Sequence, residues 1–317
     1  MIIDDKGSTE HLINISIMNE AFRDSQVNEF VLGAFISSYK RYFSGHQKEA
    51  EQMLREAFTR LKKVFLGNIS QEEVGVQIKK IHREIMHGID KNHWFPKEYL
   101  DYKRNRKPYI EMEAIEPYIK GKKILDFGSG GGFHASYLRT RGLRVGTTDI
   151  IDFRDIVADG LPFELMRTST RIPYSDNEFD TILAVMVLHH ARAQDQQSIL
   201  RDLGRVGKRL ILKETTYGLS VSDSKVNSLF NGQPVFKQFV SLEVRKQKLA
   251  VSLIDLFTNA IASGWSEMSL PFQYRTIAEW RLLLKQSDFS VVDINILGFD
   301  PRQVTPDSRV VIIADRH

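Results

Sequence analysis

The chain contains no cysteine. That absence removes disulfides, cysteine-ligated zinc and iron–sulfur clusters at once. Long apolar runs are missing too, since none approaches the roughly 18–20 residues that span a bilayer. The opening Met1-Ile-Ile-Asp-Asp-Lys6 lacks both the basic lead and the apolar centre of a secretion signal. These features predict a cytoplasmic chain with no membrane partner. Excess charge of one sign is also scarce. Lys and Arg total 44 against 40 Asp and Glu, leaving +4, which is mild for a nucleic-acid binder. What remains, 42% hydrophobic and 26% charged residues, is the composition of a globular protein. At 317 residues the chain has room for one large domain with an appendage.

The most informative stretch present is Asp126-Phe-Gly128-Ser129-Gly130-Gly-Gly132. It follows the apolar Ile124-Leu125 and precedes a helical stretch predicted from Phe133 to Arg141. A strand that ends in a glycine-rich turn and feeds a helix lets a ligand approach the backbone closely. It also aims helix N-terminal amides at ligand oxygens. The dinucleotide fingerprint G-x-G-x-x-G fails here, because position 133 is Phe. Arg144-Val-Gly-Thr-Thr-Asp149 reads as the next strand. An acid about 20 residues beyond such a turn, at a strand end, is placed to hold ribose hydroxyls. Two further segments follow in order: Ile172-Pro-Tyr-Ser-Asp-Asn-Glu-Phe179-Asp running on to Leu188-His189-His190, and Arg205-Val-Gly-Lys-Arg-Leu-Ile-Leu-Lys-Glu214.

In this order and spacing, the four segments resemble the motifs of class I S-adenosylmethionine (SAM)-dependent methyltransferases over roughly residues 121–216. The resemblance is closest to the small-molecule type. It implies SAM as cofactor and transfer of a methyl group to an oxygen, nitrogen or carbon nucleophile of a small molecule, such as a specialised or natural-product metabolite. Methylation of RNA or protein is the second reading, supported by the basic and aromatic strip Lys97–Tyr109. A SAM-binding regulator without turnover is the third.

Residue by residue, the resemblance implies that Gly128, Ser129, Gly130 and Gly132 border the methionine moiety, with Asp126 holding its ammonium directly or through water and backbone. Asp149 is expected on the ribose and Ile150 on the adenine face. Thr168-Ser169 stand where relatives carry Asp-Ala, so either hydroxyl replaces the usual carboxylate at the adenine amino group. Tyr102, in the segment before the first strand, is a further cofactor candidate. His190, His189 and Glu214 fall at carboxyl ends of strands, where open sheets place ligands. They are the catalytic candidates, with a neutral histidine suited to take a proton near physiological pH. The missing cysteine excludes methylation of pyrimidine C5 through a covalent adduct. The acid pattern with which catechol-type enzymes hold magnesium is absent, so no metal is expected. The Asn/Asp-Pro-Pro-Tyr/Phe signature of adenine-N6 and protein-glutamine enzymes is absent as well.

The periodicities predict an N-terminal helical domain, residues 1–95, in which Ser70-Gln-Glu-Glu73 is a capping box opening Val74–Met86. Residues 96–216 form an α/β core, with strands near 123–127, 144–149, 163–167, 179–185 and 208–214. Residues 217–275 are an insertion, strongly helical from Val235 to Ala262, read as a substrate cap or, in competition, a dimerisation arm. Residues 276–317 return to the core with a helix capped by Thr276 and strands at 290–297 and 309–313. Family resemblance implies a doubly wound, seven-stranded sheet in the order 3-2-1-4-5-7-6.

Overall fold

The computed structural model describes residues 2–3, 9–10, 13–67, 70–86, 94–262 and 268–317. Seven strands build the main sheet: β1 (Lys123–Phe127), β2 (Arg144–Asp149), β3 (Phe163–Leu165), β4 (Phe179–Val185), β5 (Gly207–Tyr217), β6 (Phe289–Gly298) and β7 (Arg309–Arg316). They lie in the order β3-β2-β1-β4-β5-β7-β6, which is the expected one. The first five are parallel, and β7 pairs antiparallel with β5 and β6. β4 shows why the centre is parallel: Ile182, Leu183, Ala184 and Val185 are buried without alternation, as a strand covered on both faces must be. β5 runs three residues past its expected end. Thr216 and Tyr217 pair with a two-residue strand, Arg275–Thr276, that the periodicity did not show.

The helices are α1 (Ile15–Arg23), α2 (Ser25–Tyr42), α3 (Gln47–Leu66), α4 (Gln71–Met86), α5 (Trp94–Asn105), α6 (Lys107–Glu113), α7 (Phe133–Thr140), α8 (Ala193–Val206), α9 (Ser224–Asn227), α10 (Pro234–Val240), α11 (Val244–Leu256) and α12 (Ile277–Lys285). The capping box before α4 is formed: Ser70 N–H donates to Glu73 Oε2 at 2.8 Å and Glu73 N–H to Ser70 Oγ at 3.2 Å. Thr276 and Glu279 repeat it at α12. The break expected at His93–Pro96 falls partly on residue 93, outside the described residues. From Trp94 the chain is helical, because Pro96 sits in the first turn, where its missing N–H costs nothing.

The insertion and the N-terminal helices pack as one layer. The Phe35 and Phe257 rings are 4.6 Å apart, and Phe58 lies 5.0 Å from Phe257. Phe30 meets Phe239 at 5.9 Å, and Ser38 Oγ donates to the carbonyls of Gln303 and Val304. Phe236, Phe239 and Phe257 are therefore consumed in the chain's own core. The expected continuous helix from 235 to 262 divides into α10, α11 and a π-helical turn, Phe257–Ala262. Among the described residues, no helix is long and apolar enough to cross a membrane.

Candidate active site

One wall of the site is backbone. β1 delivers the chain into a turn where Gly128, Gly130 and Gly132 have φ of +67°, +51° and +73°, a region open to glycine at no steric cost. Gly128 and Ser129 N–H donate to Thr148 O, at 2.9 and 3.2 Å, which ties the turn to β2. Asp149 then accepts from Gly130 N–H at 2.9 Å and Ile150 N–H at 2.7 Å. The three glycines differ in what a side chain would meet. At Gly128 a Cβ would fall 2.2 Å from Val187 Cγ2, and at Gly132 it would fall 2.6 Å from Ala158 Cβ. At Gly130 it would meet nothing within 4 Å, because that position opens onto the cavity.

The cavity, about 490 Å³, lies between this turn and the helical layer. Tyr102, Gly128, Ser129, Gly130, Asp149, Ile150, Ser169, His189 and His190 all line it. Four sequence candidates do not. Gly132 caps α7, and Thr168 is bridged to Arg171 behind the rim. Asp126 is buried under the turn, where it accepts from Ala135 N–H at 3.2 Å, and burial pushes its carboxyl up to about 6. It cannot touch a ligand in the cavity directly. Glu214 is turned away as well, for a reason that lies in β4.

Beyond β4 the chain passes through Met186 at φ +55°, a left-handed conformation uncommon outside glycine. That bend leaves the Val187 and Leu188 amides pointing at Glu214, which accepts both, at 3.0 and 2.7 Å. The other Glu214 oxygen takes His189 Nδ1–H at 2.6 Å. Glu214 thus orients the wall rather than forming it. His189 is buried and stacked on Tyr274 at 5.1 Å, with Nε2 facing Asp255 Oδ1 at 3.8 Å. Burial disfavours its charged form, but Glu214 and Asp255 outweigh that and raise it to about 10. His190 is pushed down to about 3 by burial and by His189. Its Nδ1 lies 3.0 Å from Ser269 O. A carbonyl only accepts, so Nδ1 carries the proton and Nε2 keeps its lone pair.

Several lining residues were not singled out from the sequence. Asp255, on the apolar α11, was hidden in a stripe read as core. Lys103, Lys107 and Arg309 bring positive charge to the glycine-turn side. Behind them Glu111 is fully buried, with Lys213, Arg309 and His134 on its carboxylate. Burial opposes its ionisation, yet Lys107, Lys213 and His134 hold it well below the usual carboxylate range. Lys103 is brought down to about 8, by burial and then by Lys107. The sequence did signal the α5 strip, but Glu111 and Arg309 meet only through the fold.

Residues 125–210 match the family model of a methyltransferase domain. Over that stretch, about a quarter of its length, the chain is similar to a methyltransferase domain. No curated protein matches the sequence. Several solved structures are similar at low identity. A SAM-dependent methyltransferase of Methanosarcina mazei is 18% identical, with 64% of this chain and 96% of that one covered and a TM-score of 0.44. The 1,6-didemethyltoxoflavin-N1-methyltransferase of Burkholderia thailandensis, with 1,6-didemethyltoxoflavin and S-adenosylhomocysteine bound, is 15% identical over 79% and 92%, TM-score 0.43. The geranyl diphosphate C-methyltransferase of Streptomyces coelicolor is 11% identical over 73% and 86%, TM-score 0.43. At these values the likeness says nothing about the acceptor. The cavity itself fits the cofactor: Ser129 Oγ is buried without a hydrogen-bond partner in the turn, and Gly130 leaves the space before it open.

Proposed function

We propose that this enzyme methylates an oxygen, nitrogen or carbon nucleophile of a small molecule enclosed between the glycine turn and the histidine wall. SAM supplies a methyl group made electrophilic by the positive charge on its sulfur. The turn Gly128–Gly130 and Ser129 hold the methionine portion, and Lys103, Lys107 and Arg309 are the cations nearest its carboxylate. Asp149 takes the ribose, Ile150 packs on the adenine, and Ser169 is the hydroxyl left to meet the adenine amino group. Asp126 acts through the turn and α7, as a positioning residue. Tyr102 closes the cavity from α5.

The observation that carries the small-molecule reading is the enclosure. A cavity of about 490 Å³ falls within the range of small-ligand sites. It is roofed by α5 and by α11 with the turn that follows it, which we assign as the acceptor-specificity layer. Most of the acceleration then comes from holding the nucleophile in line, about 3–3.5 Å from the methyl carbon. The RNA reading needs aromatic faces open to bases. Tyr99 and Tyr102 of the strip instead pack inward, on Phe95 and Tyr42, and leave Tyr109 as its one exposed aromatic ring. Incubating the protein with methyl-labelled SAM and separated small-molecule, RNA and protein fractions of a cell extract tests the reading. Label in an organic-extractable small molecule is expected. Label in RNA or protein, or no transfer despite SAM binding, contradicts it.

A further inference from the structure

The histidine wall holds an arrangement that positioning of an acceptor does not need. One nitrogen of His189, one of His190 and one carboxylate oxygen of Asp255 lie within 4.8 Å of one another, at the cavity lining. Each of the three is fixed from behind. His189 Nδ1–H is held by Glu214, His190 Nδ1–H by the Ser269 carbonyl, and Asp255 Oδ1 by Asn259 Nδ2 at 2.5 Å. A histidine that donates one ring N–H to a carboxylate or carbonyl, and turns its other nitrogen forward, has the form of a metal-ligating histidine. The forward atoms are also under-satisfied. His189 Nε2 faces Asp255 Oδ1 only at 3.8 Å, and neither that nitrogen nor Asp255 Oδ2 has a hydrogen-bond partner, a costly state unless something binds there.

We propose that His189, His190 and Asp255 bind a divalent first-row transition-metal ion, and that its open positions take an oxygen of the methyl acceptor. Two imidazoles and one carboxylate suit such an ion better than magnesium or calcium, which favour oxygen ligands alone. Glu214 and Asp255 are two buried carboxylates, and a divalent ion held between the histidines sets two positive charges beside them. The π-helical turn contributes too: it starts directly after α11, and its Asn259 reaches back to Asp255. Turns of this kind recur at functional sites. An acceptor hydroxyl bound to the ion loses its proton to water more readily, leaving an oxyanion held at the wall. The site narrows the acceptor class proposed above to molecules with an acidic hydroxyl or a ligating oxygen, and in that respect it rests on that reading.

Full-length protein freed of metal by a chelator is titrated with Co(II), followed by visible absorption, and with Mn(II) and Zn(II) by calorimetry. One equivalent should bind, with the absorption bands of nitrogen-ligated Co(II). H190A and D255N should each weaken binding at least about 100-fold, and E214Q about 10–100-fold. SAM affinity should stay unchanged in H190A, which shows that the fold is intact. Wild-type protein that binds SAM but gives neither Co(II) bands nor heat overturns the site, as does equal metal affinity in H190A, D255N and wild type. The readout is independent of turnover: metal bound by a chain that transfers no methyl sinks the proposed reaction and leaves the site standing.

Discussion

The two walls of the cavity are built in opposite ways. The glycine turn is local and made of backbone: β1, α7 and β2 follow one another in the chain, and the polar groups facing the cavity are mostly amides. The histidine wall is made of side chains drawn from distant places. His189 and His190 follow β4, Glu214 lies on β5, Asp255 on α11, and Ser269 and Tyr274 come from the end of the insertion. A backbone wall recognises what is common to all substrates of a fold, because its shape survives most side-chain changes. A wall assembled from insertions can be rebuilt without disturbing the sheet. On the proposed reading, the cofactor end belongs to the fold and the acceptor end to this protein.

Substitutions at the two walls should therefore fail differently. The largest effect is expected at Gly130. Gly130→Val adds a branched side chain at φ +51°, directed into the cavity, and should abolish SAM binding in calorimetry; the backbone strain should also lower the melting temperature, so retained secondary structure in circular dichroism at the assay temperature is the control. A retained SAM affinity would break the comparison at its firmest point. Next is His190→Ala, at the other wall: kcat should fall roughly 10²–10⁴-fold with the SAM dissociation constant unchanged, because His190, as proton acceptor or as metal ligand, acts on the acceptor and not on SAM.

Asp126 separates stability from function at the cofactor wall. Its carboxyl is raised by burial to about 6 from 3.8, so the folded state binds more protons than the unfolded state between those values. The ionised acid thus costs stability as pH rises through that window, and above about pH 6 the full cost of roughly 2–3 kcal/mol applies. Asp126→Asn should raise the melting temperature at pH 8, with the gain disappearing near pH 4, and should weaken SAM binding. A variant no more stable at pH 8 would show that the carboxylate carries no such cost. The smallest effect is at the ribose position, where Asp149→Ala should weaken SAM by about 1–3 kcal/mol, the range for losing a charged hydrogen-bond partner. Unaltered affinity would remove Asp149 from the site.

Legibility in the sequence follows the same division. Strands β1, β2 and β4 fall at the expected residues, and the sheet order agrees, because a glycine turn between a strand and a helix is a short-range signal. Gly128, Gly130 and Asp149 lie where the motif puts them for the same reason. Glu214 was expected to face the substrate because it ends a strand near the ligand side. Its true direction depends on the left-handed Met186 and the two amides that bend exposes, which no periodicity reveals. Asp255 sits in a helix whose apolar residues make it look like core, and its carboxylate meets the histidines only because α11 packs against β5. Asp126 matched the motif in type and position, but its distance from the cavity depends on how α7 leaves the turn.

A crystal structure of the protein grown with S-adenosylhomocysteine would locate both ends of the cavity at once. Density is expected for the amino-acid portion over Ser129–Gly130, for the ribose hydroxyls on Asp149, and for a sulfur directed towards the histidine wall, with room beyond it bordered by His190 and Asp255. Density elsewhere on the protein, or a ligand whose sulfur points away from His190, would contradict it.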